Sequence, residues 1–225
     1  MKKNTGILVI IFIMIIGCSQ NPKTKVECEN PVSLGDIKIC LPTIDGMTEC
    51  HTNVFVKKRI SESNPNKDSV LAYYLNDSTY KKVDKISEIL YDDYFVIFSK
   101  SKSIGKKFVE SDLNMMANLM EGSYIKENWD DIKKKVETNF DYLSVDTPIL
   151  IDSYIPAKQV RTFVLLMKFL SDDNEWVQII IMNLVQIQER FITAVYYKYY
   201  DTEETIRKAK AKNDYVLLKL IDMNK

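Results

Sequence analysis

The chain has 225 residues, with 31 basic against 31 acidic side chains, 46% hydrophobic residues and 28% charged ones. That length suits one domain with a sizeable core, and the even charge excludes both a strongly basic nucleic-acid binder and a disordered chain. A total of six glycines excludes glycine-rich phosphate loops and propeller repeats.

Lys2 and Lys3 precede an uncharged apolar run, Gly6 to Gly17. As a helix it would measure about 18 Å, too short for a bilayer core and the right length for the apolar part of a signal peptide. It ends in Ile15-Ile16-Gly17-Cys18, which resembles the lipobox of bacterial lipoproteins. The resemblance implies cleavage after residue 17, diacylglycerol on the Cys18 thiol, and a fatty acid such as palmitate on the new amino group. One acyl chain binds a membrane marginally, whereas several hold it essentially permanently.

Residues 18–32 then read as a polar tether, and residues 33–225 as a single domain. Ser19 follows the cysteine, and no acidic cluster comes after it. Where the organism has two membranes, this favours the outer membrane with the domain facing the periplasm. Losing Lys2 and Lys3 from the 31 basic residues leaves 29 against 31 acidic ones, so no overall field attracts nucleic acid.

Three cysteines remain, Cys28, Cys40 and Cys50. Export implies an oxidising compartment, which allows one disulfide and one leftover thiol. Read as a three-residue hairpin loop, Ile44-Asp45-Gly46 sets Cys40 opposite Cys50, the favoured pair. Pairing of Cys28 with either, or no bridge, stays open. His51, the chain's single histidine, has no second ligand pair nearby, so no metal or cofactor is expected.

Alternation over residues 36–42 predicts a strand with Ile37, Ile39 and Leu41 on one face. Asn53-Val54-Phe55-Val56 reads as a second short strand, and 61–69 as a polar loop. Residues 70–75 predict a strand, 79–90 are ambiguous, and Tyr94–Phe98, apolar on both faces, predicts a strand covered on both sides.

Two helices follow. Ser111 is the expected cap of the first, with Leu113, Met116, Ala117 and Met120 as its stripe and Gly122 as its stop. The second is expected over residues 125–139. Strands are predicted at 148–155, 160–170, 175–186 and 189–200, the last three as an antiparallel meander. A closing helix is capped by Asp201, with Glu204 three residues on, and buries Ile206, Ala209, Val216, Leu217 and Leu220.

The expected fold is α+β: a mostly antiparallel sheet of about six or seven strands, with two central helices and a C-terminal helix on its faces. The order of Val70–Asn76, Asp92–Ile97, late meander and closing helix resembles the PsbP/Mog1-like sandwich. That family includes a small-GTPase partner and a photosystem subunit, so its fold transfers no activity.

Catalytic signals are sparse. The pairs Asp130-Asp131 and Glu203-Glu204 suit helix starts, and Asp172-Asp173 suits a turn. Asp92-Asp93 is the one acidic pair to watch for hydrolase chemistry. Tyr196, Tyr197, Tyr199 and Tyr200 are the candidate binding residues. Alternation splits them between two faces, so one pair is core and the other is free to stack on a sugar or anchor a partner. The resulting expectation is a non-enzymatic envelope lipoprotein with a protein partner, either an immunity-type protein or an accessory subunit. The alternative is a small-ligand or glycan binder.

Overall fold

The computed structural model describes residues 28–64, 67–84, 91–122, 127, 130, 133–134, 144–171 and 174–225. The leader, Cys18 and most of the tether lie outside these residues, as do Asp131 and Asp172-Asp173. The helix expected over 125–139 also lies largely outside them, with residues 127, 130, 133 and 134 helical.

The chain opens with a hairpin of β1 (Pro31–Leu34) and β2 (Ile37–Cys40). Ordered strand therefore begins within the stretch read as tether. The main sheet comprises β3 (Met47–Glu49), β4 (Ser69–Asn76), β5 (Tyr94–Ser99), β6 (Ser144–Val145), β7 (Ile149–Tyr154), β8 (Val160–Ser171), β9 (Asn174–Ile187) and β10 (Arg190–Tyr199). Its order is β3-β4-β5-β10-β9-β8, with β6 and β7 both pairing with the outer side of β8. Every pairing among the described residues is antiparallel. Among the described residues, four helices with defined ends accompany it: α1 (Val54–Ser63), α2 (Asp77–Tyr80), α3 (Glu110–Glu121) and α4 (Glu203–Asp222). The fold is thus α+β, a largely antiparallel sheet closed by a C-terminal helix.

Alternation assigns each strand residue to one of two covered faces. Ile192, Ala194 and Tyr196 of β10, with Ile179, Ile181 and Val185 of β9, join Val216, Leu217 and Leu220 of α4 in the main core. The β1–β2 hairpin adds Leu34 and Ile39 to the same cluster. The opposite face is covered in two places. Val56 and Ile60 of α1 pack with Tyr73, Leu75 and Tyr94, while Leu113 and Ala117 of α3 pack with Phe163, Leu184 and Phe191. Tyr94–Phe98 is therefore the interior strand its two-sided apolar pattern predicts.

One polar seam crosses the main core. Asn183 and Asn213 are both fully buried. The Asn183 amide donates to Asn213 Oδ1 at 2.8 Å and to the Ala194 carbonyl at 2.9 Å, and its Oδ1 accepts from the Thr162 hydroxyl at 2.8 Å. Buried amides in this medium are costly unless satisfied, so the seam fixes where α4 sits on β9.

Local signals were displaced at several points. Residues 53–56 begin α1 rather than form a strand, because the Asn53 side chain accepts from the backbone N–H groups of Phe55 and Val56 and starts a helix. The first central helix is capped through Asp112, whose carboxylate accepts from Val109 N–H at 2.9 Å, and not through Ser111. In α4 the capping residue is Thr202, whose N–H donates to Thr205 Oγ1 at 3.3 Å, one position after Asp201.

Candidate interaction surface

The sequence-derived candidates among the described residues each occupy a definite place. Asp92 and Asp93 sit at the entry to β5, and both hold structure. Asp93 Oδ1 accepts from the Tyr196 hydroxyl and from Lys212 Nζ of α4, both at 2.7 Å. Burial opposes its ionisation. The hydrogen bonds from Lys212 and Tyr196 and the charges of Lys212 and Lys198 outweigh that, so its pKa falls below the ordinary carboxylate value. Asp92 accepts from the backbone N–H of Tyr199 at 2.8 Å and pairs with Lys198. The two carboxylates thus clamp the end of β10 and α4 onto β5.

The tyrosines divide as alternation predicts. Tyr196 lies in the main core, 2% exposed and stacked on Phe95 at 5.1 Å. Tyr197, half-buried on the other face, stacks on Tyr94 at 4.4 Å, which stacks on Tyr73 at 5.6 Å; Tyr91 meets both of those rings edge-on. The Tyr73–Tyr94–Tyr197 ladder spans three strands, and each such contact adds about 1 kcal/mol beyond area burial. Tyr199 and Tyr200 are half-buried, with Tyr200 packed against the main core. Only Tyr197 and Tyr199 face away from α4.

The favoured disulfide is corrected. Cys28 bonds Cys40, and Cys50 is a buried thiol. The reason is topological: Cys40 ends β2 of the hairpin, while Met47 to Glu49 pair with β4 of the main sheet. Gly46 does adopt the left-handed conformation, at φ +72°, but its turn carries the chain from one sheet to the other instead of closing a hairpin. Burial, and then the charge of Glu49, push the Cys50 pKa up to about 12, so the thiol is inert in the folded state. His51 Nδ1 lies 2.9 Å from Glu49 Oε1, which also accepts from the backbone N–H groups of His51 and Tyr73 at 3.0 Å. Among the described residues no group of three or more histidines, cysteines or acids is placed to hold a metal ion.

The surface that stands out is one that composition did not single out. Strand β7, with Ile155 just beyond it, forms an outer edge of the sheet in which Ile149 is 63% exposed, Leu150 38%, Ile151 40% and Ile155 61%. Its inner side pairs with β8, with a register shift between Leu150 and Asp152. Among the described residues no strand pairs with its outer side. Three anchors hold the strand. Asp152 pairs with Lys210 of α4. The Tyr154 hydroxyl donates to Asp214 at 2.8 Å, and the Ser153 hydroxyl donates to Glu121 of α3 at 2.7 Å. A rigid, apolar, unpaired edge is a template for another polypeptide. The signal was present in Ile149-Leu150-Ile151 as consecutive aliphatics, but sequence could not assign that run to an edge.

No protein-family model matches the chain, and no curated protein does. Among solved structures it is similar to the Ran-binding protein Mog1p of Saccharomyces cerevisiae, at 10% identity over 83% of this chain and 86% of that one, with a TM-score of 0.31. The name agrees with the resemblance read from the sequence, but a likeness this weak transfers neither partner nor activity.

Proposed function

We propose that this chain is a non-enzymatic binding module of a bacterial cell envelope, held to the membrane by acyl chains on Cys18 and engaging a protein partner through the open edge of β7. The observation that carries the partner role is the edge itself, with aliphatic side chains exposed along a strand braced from both faces of the sheet. The order of basic start, short apolar run and Ile15-Ile16-Gly17-Cys18 supports the anchor. Asp92 and Asp93, the acids most suggestive of hydrolysis, are engaged by Lys198, Lys212 and Tyr196, which favours a structural role for them.

Docking would proceed by strand addition. Backbone groups on the outer side of β7 supply hydrogen bonds, and Ile149, Leu150 and Ile151 supply apolar contact. A toxin-neutralising immunity protein and an accessory subunit of an envelope complex are two roles that such a module fits. Where two membranes exist, Ser19 after Cys18 favours the outer one, with the domain in the periplasm.

The test is site-specific photo-cross-linking in intact envelopes. A photoreactive residue at position 149 should give one discrete adduct with another protein, which Leu150→Lys abolishes, while one at exposed Glu62 gives none. Equal adducts from both positions would remove the partner role of β7. Failure of labelled palmitate to enter wild-type protein would remove the anchor.

A further inference from the structure

We infer that the outward face of α4 is the surface pressed against the bilayer; this rests on the lipid anchor proposed above. The first described residue, Cys28, is fastened to Cys40, and Cys40 is fastened in turn to the end of the chain. Its N–H donates to Asn224 Oδ1 at 2.8 Å, and its carbonyl accepts from Asn224 Nδ2 at 2.8 Å. Cys28 is therefore held beside the C-terminal end of α4. Glu29, next to Cys28, lines an open groove of about 740 Å³ with Thr43, Tyr215, Leu218, Lys219, Asp222 and Met223.

From Cys28 back to Cys18 the sequence has ten peptide steps, a reach of at most about 35 Å. Acyl chains on Cys18 thus hold the bilayer within that reach of Cys28 and the groove beside it, whatever path the intervening residues take. The side chains on that face suit the headgroup boundary. Tyr215 is 51% exposed and Leu218 43% exposed, an aromatic and an aliphatic one turn apart. Lys219 Nζ lies 5.8 Å from the Tyr215 ring centre and donates to the Thr43 carbonyl, while Arg207 and Lys208, two turns up the same helix, pair with Glu204, and Lys225 pairs with Asp222. An amphipathic ring at the interface flanked by long cationic side chains is the chemistry of a peripheral contact. The other exposed apolar pairs on helices, Val54 with Phe55 on α1 and Met115 with Leu119 on α3, stand across the sheet from α4.

The geometry leaves β7 to one side of the membrane contact. Its ties to α4 come from Lys210 and Asp214, on the flank of the helix rather than on the Tyr215–Leu218 face.

The experiment uses the acylated full chain in vesicles of phosphatidylethanolamine and phosphatidylglycerol carrying a lipid with a diazirine at the top of its acyl chain. After illumination, peptides covering residues 213–219 should carry several-fold more lipid adduct than those covering 54–57. Tyr215→Glu with Leu218→Glu should lose most of that labelling while Cys18 stays acylated. Equal labelling of both regions, or greater labelling of 54–57, on protein shown to be acylated overturns the inference and leaves the anchor standing. Absence of acylation in the wild type removes both.

Discussion

The two edges of the main sheet are built on opposite plans. The β3 edge is three residues long, its Met47 is buried, and the chain turns at once into α1, which covers the Tyr73–Tyr94–Tyr197 ladder. Where the β3 ladder ends, the Glu49 carboxylate takes the Tyr73 N–H. The β7 edge is six residues long and carries exposed aliphatics in sequence. Natural sheets blunt their edges with short strands, charges or covering helices. The first edge follows that rule. The second departs from it except for its register shift, and a departure confined to one edge is what the proposed partner role calls for.

The contrast can be broken in several ways. The largest effect is chemical. Cys50 lies behind the covered edge, so a thiol reagent should modify it only through unfolding, slower by about a thousandfold or more than in denaturant at ordinary domain stabilities. Non-reducing peptide mapping should recover Cys28 linked to Cys40 in the same sample. Ready labelling of Cys50 in native protein would mean that the β3 edge is open.

Next in size is Tyr94→Ala, which removes the middle ring of the ladder. It should cost about 4 kcal/mol, read from the urea midpoint. Val56→Ala, a smaller cavity beneath α1 at the same edge, should cost about 2 kcal/mol. The matching truncation at the open edge, Ile149→Ala, should stay within about 0.5 kcal/mol, since its side chain already meets water. A cost at Ile149 equal to that at Val56 would show that something covers β7 and would end the contrast.

Between the edges, Asp93 makes a pH-dependent contribution. Its folded pKa is lowered, so the unfolded chain takes up the proton first as pH falls. The stability it supplies is complete above the ordinary carboxylate pKa of about 4 and is lost as pH drops through the lowered value. Asp93→Asn should therefore flatten the acid limb of a stability profile between neutral pH and about pH 2. An unchanged acid limb would show that Asp93 carries no such linkage.

Much of the fold was legible because periodicity reports burial directly. Residues 160–170, 175–186 and 189–200 alternate, and they are the meander of β8, β9 and β10. Ala209, Val216, Leu217 and Leu220 repeat at helical spacing and form the buried side of α4. The candidate surface was much less legible. The tyrosine run drew attention through composition, yet Tyr196 is core. The run at 149–151 looked like any other strand.

By itself, then, the sequence determined what local spacing can encode: most strand and helix types, and which side of each faces inward. Tertiary structure alone decided which cysteines meet, which of two adjacent residues starts a helix, and which strand is left at an edge. Those outcomes depend on contacts between residues far apart in the chain, such as Cys40 with Asn224 or Asp93 with Lys212, and no local pattern records the neighbour that a side chain will have after the sheet has closed.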